Sequence, residues 1–112
     1  MLSDMLGEDA AKVKVIDAKG LYVLPGLIDA HTHYHLVSRG TVTADSFPQG
    51  SRVAAFGGVT TVVDFADHQK NMNLTDSLDL RLNEMKDGMA IDYTLHQGVY
   101  GHGFTPDIEQ QL

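Results

Sequence analysis

Hydrophobic and polar positions follow a two-residue period at the start of this chain, which is typical of strands. Lys12 to Ile16 alternate polar and apolar side chains, as a half-buried strand does. Asp17 to Gly20 predict a turn, with Gly20 suited to a positive φ, and Leu21 to Leu24 predict a second strand. The two strands are therefore expected to form a hairpin.

The next apolar run, Leu24 to His33, predicts a short buried strand that ends in two histidines. A polar loop is expected over residues 34–41. A helix is then predicted to begin near Phe47 and Pro48, with Asp45 or Ser46 as its cap. Its packing face at helical spacing comprises Phe47, Gly50, Val53, Ala54 and Gly57. Gly57 and Gly58 predict the helix end rather than a phosphate loop, since no Gly-Lys-Ser/Thr follows.

Two further strands and two further helices are predicted in alternation. The β-branched run Val59 to Phe65 indicates a buried parallel strand, and residues 66–73 a loop. A helix is expected from a Thr75 cap to about Asp87, ended by Gly88. Its predicted packing face comprises Leu74, Leu78, Leu82, Met85 and Met89. Ile91 to Val99 predict a third strand. We then expect a loop over residues 100–105 and a helix that begins at Pro106 with Thr105 as its cap.

The alternation of strand and helix predicts the α/β class with a parallel sheet. A partial (β/α)₈ TIM barrel, its first three βα units, fits better than a doubly wound sheet because the histidines end the first strand. Barrels place their chemistry at those strand ends, and a whole barrel needs roughly 250 residues. The 112 residues therefore predict under half of a barrel.

Composition excludes several classes of function. The net charge of −7 and the scattered lysines and arginines argue against nucleic-acid binding. No apolar run is long enough to span a bilayer, and the acidic first residues are not expected to form a signal peptide. With no cysteine, the chain is expected to be cytoplasmic.

The strongest candidate chemistry lies at His31 and His33. Residues two apart on a strand share a face, so both imidazoles can converge on one metal ion. The alternative is a pair of polar residues on a strand edge. Asp29 and the apolar run before the pair favour the metal.

The segment Pro-Gly-Leu-Ile-Asp-Ala-His-Thr-His at residues 25–33 resembles the first barrel strand of the amidohydrolase superfamily. Gly40 to Phe47 and Gly50 to Thr61 narrow the resemblance to the cyclic amidases: hydantoinases and dihydropyrimidinases first, allantoinases and dihydroorotases more distantly. The resemblance implies a metal-dependent hydrolase of cyclic amide C–N bonds in hydantoin- or dihydropyrimidine-type rings.

The resemblance also implies a site and an architecture. His31 and His33 match metal ligands of a centre that holds two divalent ions, usually zinc, while a bridging lysine, two more histidines and a proton-shuttling aspartate come from later strands. No catalytic or cofactor-binding residue is assigned within this chain, which is expected to be inactive alone. Residues 1–24 are expected to belong to a small β-sandwich domain and residues 25–112 to the first part of the barrel. A small cyclic amide substrate and a homo-oligomer, a tetramer in the family, are the expected partners.

The sequence leaves the roles of several other polar residues undecided. His35 departs from the Asp or Gln that relatives often carry and could touch substrate or a metal. Asp64 could orient a ligand histidine or be satisfied by backbone N–H groups. His96 is expected to be a hydrogen-bonded structural histidine, while His68 and His102 lie in predicted loops.

Two other functions also remain open. One is a non-catalytic, dihydropyrimidinase-related assembly protein, and the other is a different amidohydrolase branch, such as allantoinase or dihydroorotase. The assembly proteins typically lose metal histidines, so the presence of both His31 and His33 favours the enzyme.

Overall fold

A three-stranded parallel sheet with two helices on one face forms the centre of the molecule. The computed structural model describes residues 12–99 and Gln110. The elements in chain order are β1 (Leu27–Asp29), β2 (Val37–Ser38), β3 (Thr41–Val42), α1 (Phe47–Phe56), β4 (Val59–Asp67), α2 (Leu74–Met85) and β5 (Asp92–Gly98). The predicted loop over 100–105, the helix opening at Pro106 and His102 lie outside the described residues.

The parallel sheet has the strand order β1-β4-β5, with β4 at its centre. β4 pairs with β5 in continuous register from Thr61 opposite Asp92 to Asp67 opposite Gly98. β1 pairs with the start of β4, and the register shifts by one residue between Leu27 and Ile28. The α/β class and the parallel sheet are confirmed, and the two longer strands lie within two residues of their predicted bounds.

The two faces of β4 have different surroundings. Val62, Asp64 and Ala66 are fully buried beneath the helices, while the alternate residues are only half-buried. Phe47 of α1 and Leu74 and Met85 of α2 complete the apolar core. The opposite face of the sheet has no covering layer among the described residues.

The predicted strands of the first hairpin are wrong. Residues 12–16 and 21–24 carry no strand, and apolar side chains such as Ile16 and Val23 are 76% and 81% exposed. The turn between them forms as expected, with the Leu21 amide donating to the Ala18 carbonyl at 2.9 Å. Alternation alone predicted the strands, but a strand needs a partner that the described residues do not provide.

The first strand of the sheet is also shorter and more open than predicted. β1 has three residues, and Leu27 and Ile28 are 61% and 68% exposed instead of buried. Within residues 12–99, β1 is an edge strand that pairs with β4 alone. The two histidines follow this strand and do not lie within it.

The predicted polar loop after the histidines contains a small antiparallel ribbon of β2 and β3. The two residues that join its strands, Arg39 and Gly40, have φ values of 50° and 79°. Positive φ at both central residues is the signature of a type I′ hairpin turn. Asn-Gly is the strong sequence signal for that turn. Arg-Gly has the glycine of that signal but lacks the asparagine, so the sequence did not predict the turn.

Helix α1 begins at Phe47 as predicted, with Pro48 in its first turn. Ser46 occupies the N-cap position, but its side chain makes no capping hydrogen bond. The chain turns left-handed at Gly58, where φ is 85°. Val53, predicted to pack, is 64% exposed, and Ser51 is buried in its place, where its hydroxyl donates to the Phe47 carbonyl at 2.6 Å.

Helix α2 begins one residue before the predicted cap. Asn73 is the N-cap, and its side chain accepts a hydrogen bond from the Asp76 amide at 2.7 Å, so Thr75 is not the cap. The buried residues are Leu74, Ser77, Arg81 and Met85. Leu82, predicted to pack, is 37% exposed. The packing face is therefore rotated toward Ser77 and Arg81, because Arg81 forms a buried ion pair with β4.

Candidate functional site

The histidine pair lies directly beyond the end of β1, on the uncovered face of the sheet. The Nε2 atoms of His31 and His33 are 3.1 Å apart, and their ring centroids are 4.9 Å apart at an interplanar angle of 85°. Thr32, between them, points the opposite way and is 9% exposed. The prediction that both imidazoles share one side is confirmed.

Backbone hydrogen bonds place the pair. The Thr32 amide donates to the Val63 carbonyl of β4 at 3.0 Å, so the alternating strand-like direction of side chains continues past β1. The His31 amide donates to Asp29 Oδ1 at 3.2 Å. Asp29 therefore acts on the backbone of the pair rather than on an imidazole.

Phe65 of β4 lies against the imidazoles on this face. Its ring centroid is 4.6 Å from that of His31, 4.8 Å from that of His33 and 4.9 Å from that of His96. His96 pairs through Nε2 with the Ala30 carbonyl at 3.0 Å, with the ring N–H as donor. His96 is hydrogen-bonded as predicted, and its structural role stays a prediction.

The separation of the two Nε2 atoms fits a shared metal ion. Nitrogen ligands about 2.0–2.1 Å from a tetrahedral zinc ion lie roughly 3.3 Å from each other. The observed 3.1 Å is close to that value. No group of three or more His, Cys, Asp or Glu side chains that could hold a metal occurs within the described ranges. An imidazole pair is a donor set that suits zinc, and His31 and His33 as its ligands stay a prediction.

Asp64 lies on the helix-facing side of β4 and is fully buried. Its Oδ2 accepts hydrogen bonds from the Thr32 hydroxyl at 3.1 Å and from the Tyr34 amide at 2.8 Å. Its Oδ1 accepts from the Phe65 amide at 2.8 Å. Of the two alternatives for Asp64, the structure shows satisfaction by backbone N–H groups, with a hydroxyl and an arginine added.

Arg81 of α2 is the residue that the sequence reasoning missed. Its Nη2 lies 2.6 Å and its Nε 3.3 Å from Asp64 Oδ1, and Nη2 also donates to the Tyr34 carbonyl. Its guanidinium carbon lies 4.8 Å above the ring of Phe47. The sequence did contain a signal for this ion pair. An aspartate in an apolar strand needs a cationic partner, and Arg81 lies next to the apolar positions of the following helix.

Tyr34 follows the histidine pair and fills the space above α1. Its ring contacts Gly50 so closely that a Cβ at that position would overlap it. Burial raises the pKa of the Tyr34 phenol, and the nearby carboxylates of Asp29, Asp64 and Asp45 raise it further. The phenol therefore stays neutral at physiological pH.

A cavity of about 320 Å³ lies between the segment after Tyr34, the end of β4 and α2. His35 lines it, and the His35 ring centroid lies 6.0 Å from that of Phe47. Its role in binding substrate or metal stays a prediction. His68 pairs through Nε2 with the Met72 carbonyl at 2.8 Å, within the loop before α2.

No helix in the described part of the chain is both long and apolar enough to cross a membrane.

Comparison with known proteins identifies the relatives of this chain. The D-hydantoinase of Streptomyces coelicolor is 46% identical over 82 residues, which cover 73% of this chain and 18% of that protein. The dihydropyrimidinase of Rattus norvegicus is 37% identical over 93 residues, 83% of this chain and 18% of that protein. The crystal structure of dihydropyrimidinase from Brevibacillus agri NCHU1002 superposes with a TM-score of 0.82 at 36% identity, over 93% of this chain and 22% of that one.

The chain thus spans about a fifth of the length of these relatives. The sequence pattern of the family described as Amidohydrolase family matches residues 14–104, most of the 112. This chain belongs to the amidohydrolase family.

Proposed function

We propose that this chain is the first part of a metal-dependent hydrolase that opens cyclic amide rings of the hydantoin and dihydropyrimidine type. The relatives named D-hydantoinase and dihydropyrimidinase support the substrate class. The observation that carries the proposal is the 3.1 Å separation of the His31 and His33 Nε2 atoms on the open face of a parallel sheet. The substrate is a small cyclic amide, and the protein is a cytoplasmic homo-oligomer.

The architecture we propose is a (β/α)₈ barrel whose opening units begin at residue 25, with residues 1–24 in a small β-sandwich domain. A parallel sheet with helices on one face and an open second face supports a barrel, whose interior is the second face. The histidines follow the C-terminal end of β1, where barrel enzymes carry their chemistry.

His31 and His33 would hold a divalent ion, zinc by donor type, through their Nε2 atoms. When bound, such an ion acts as a Lewis acid that polarises an amide carbonyl and activates water near neutral pH. Phe65 covers one side of both rings and keeps water from that side. Structural and catalytic zinc sites use at least three protein ligands, so the residues of this chain alone should give no turnover.

The test measures ring opening of hydantoin and dihydrouracil by ultraviolet absorbance, using the complete natural polypeptide that contains these residues. We expect activity that a chelator removes and zinc restores. His31→Ala and His33→Ala should each lower metal content and activity by more than the about 10–100-fold typical of losing an outer-shell partner. His68→Gln, a control that changes a histidine bonded to Met72, should retain the metal.

Activity that survives both chelation and the two histidine substitutions would contradict the proposal. A polypeptide that binds zinc but opens neither ring would contradict the substrate class alone. A polypeptide with no metal would instead favour the non-catalytic assembly protein.

A further inference from the structure

The backbone on either side of His33 is anchored from the face opposite the imidazoles. Thr32 is held by its amide to the Val63 carbonyl at 3.0 Å and by its hydroxyl to Asp64 Oδ2 at 3.1 Å. The Tyr34 amide donates to the same Oδ2 atom at 2.8 Å. One carboxylate oxygen therefore binds both neighbours of His33.

Arg81 fixes that carboxylate in turn. Its Nη2 and Nε both bind Asp64 Oδ1, the other oxygen of the group, so the carboxylate cannot rotate without losing hydrogen bonds. Nη2 also donates to the Tyr34 carbonyl, so Arg81 binds the backbone that follows His33 directly. The stack on Phe47 and the bond from Nη1 to Glu84 at 3.0 Å set the plane of the guanidinium.

A lysine could not replace these contacts. The guanidinium presents several N–H donors in one rigid plane, whereas an ammonium on a flexible chain is a point donor. The three contacts of Nε and Nη2 reach two acceptors from different elements, Asp64 of β4 and the segment after β1. Arg81 thus joins α2, β4 and the histidine segment.

The orientation of the two imidazoles depends on this anchored backbone. His31 and His33 are on the open side of the sheet, whereas the bonds from Thr32 and Tyr34 to Asp64 lie on the buried side. Side chains that bind metals need partners that hold their orientation. Here that support reaches the rings through the backbone and not through a hydrogen bond to an imidazole.

We propose that Arg81, acting through Asp64 and the Tyr34 carbonyl, is a positioning residue that holds His31 and His33 at the spacing of a metal-binding pair. The inference rests on the proposed metal site. It assigns to α2, a helix that carries no ligand, control over the affinity and coordination geometry of that site.

The test uses the complete natural polypeptide, stripped of metal and titrated with zinc against a competing chelator. A second sample loaded with Co²⁺ reports coordination geometry through its visible absorption bands. Arg81→Met should weaken zinc binding by about 10–100-fold, the range typical for lost outer-shell partners, and should alter the Co²⁺ bands. Arg81→Lys should restore only part of the affinity.

Two controls separate positioning from general destabilisation. Met85→Ala removes a fully buried side chain from the same helix and should weaken packing while leaving the hydrogen bonds of Arg81 in place. Arg52→Met removes an exposed arginine from α1. Both should keep wild-type zinc affinity and the wild-type Co²⁺ spectrum.

A milder pair of variants covers the case in which Arg81→Met fails to fold. Thr32→Val removes only the hydroxyl that donates to Asp64, and should weaken zinc binding by several-fold. Thr32→Ser keeps that hydroxyl and should restore the affinity. Wild-type affinity and spectrum in Thr32→Val, or in folded Arg81→Met, would overturn the positioning role.

A wrong assignment of the metal ligands would give a different set of results. His31→Ala, measured in parallel, should lose tight zinc binding. If His31→Ala binds zinc as tightly as the wild type, the proposed ligand pair is wrong. If the Arg81 and Thr32 variants keep wild-type zinc binding while His31→Ala loses it, the ligand pair is supported and the positioning role is wrong.

Discussion

At the scale of single residues, one arginine makes two ion pairs that differ in burial. Arg81 contacts Asp64, which is fully buried, at 2.6 Å and Glu84, whose side chain is 45% exposed, at 3.0 Å. Breaking a buried ion pair leaves a charge without compensation, whereas an exposed pair is screened by water. The two carboxylates should therefore contribute very differently to stability.

We expect Asp64→Asn to lower the free energy of unfolding by about 3–5 kcal/mol, because the buried guanidinium of Arg81 then loses its buried counter-charge and keeps only the half-exposed Glu84. Glu84→Gln, the matched change on the same arginine, should cost less than about 1 kcal/mol. Urea unfolding of the natural polypeptide, followed by circular dichroism, measures both. Equal costs for the two variants would contradict the central role of the buried pair.

At the scale of elements, the ribbon of β2 and β3 depends on a turn with two left-handed residues. Gly40 has φ of 79°, and a Cβ added there would meet no atom within 4 Å, so an alanine meets backbone strain but no steric contact. Arg39 has φ of 50°, a value that arginine tolerates less well than asparagine. The two positions should respond to substitution in opposite directions.

Gly40→Ala should destabilise the ribbon by about 1–2 kcal/mol, the usual cost of a left-handed conformation for a residue with a Cβ. Arg39→Asn should stabilise it, because Asn-Gly is the preferred pair for this turn. Hydrogen exchange measured by mass spectrometry reports the ribbon locally, through the Thr43 amide that donates to the Leu36 carbonyl. Exchange in α2 provides the control and should not change.

How far the sequence predicts an element depends on whether the determining contacts are local. The β-branched run of β4 and the proline and glycines that bound α1 act within a few residues, and both elements form where expected. The packing face of α2 was misplaced because Arg81 is drawn inward by Asp64, 17 residues earlier in the chain. The strands before residue 25 failed for a similar reason, since alternation does not supply a pairing partner.

The histidine pair likewise has one property that local sequence predicts and another that depends on distant residues. Strand parity predicted that His31 and His33 share a side, because parity is a local property of extended backbone. The contacts that anchor the pair come from Val63, Asp64 and Arg81, which are distant in sequence. No sequence motif near the histidines predicts these anchoring contacts.

At the scale of the whole molecule, many apolar side chains in the described part of the chain are exposed. The radius of gyration is 19.9 Å, against about 13 Å for a compact domain of this length. Exposed apolar residues concentrate in the extended segment before β1 and in β1 itself, where Tyr22 is 94% exposed and Leu24 77%. Patches of this kind mark surfaces that normally contact other protein.

We expect the isolated 112-residue polypeptide to self-associate for this reason. Analytical ultracentrifugation should show species larger than a monomer, and Val15→Thr combined with Val23→Thr should reduce them. Val53→Thr, at an exposed position of α1, is the control and should have little effect. A monodisperse wild-type monomer with a cooperative unfolding transition would refute this expectation.

The hydrogen bond from Arg81 to the Tyr34 carbonyl joins residues 47 positions apart, and this separation sets an order of events during synthesis. At about 5–20 residues per second, the ribosome adds Arg81 about 2–10 s after Tyr34. During that interval the two histidines are already in the growing chain, but their anchor does not yet exist. On the proposed positioning role, the spacing of the pair is therefore set only after α2 has been synthesised and has docked against β4.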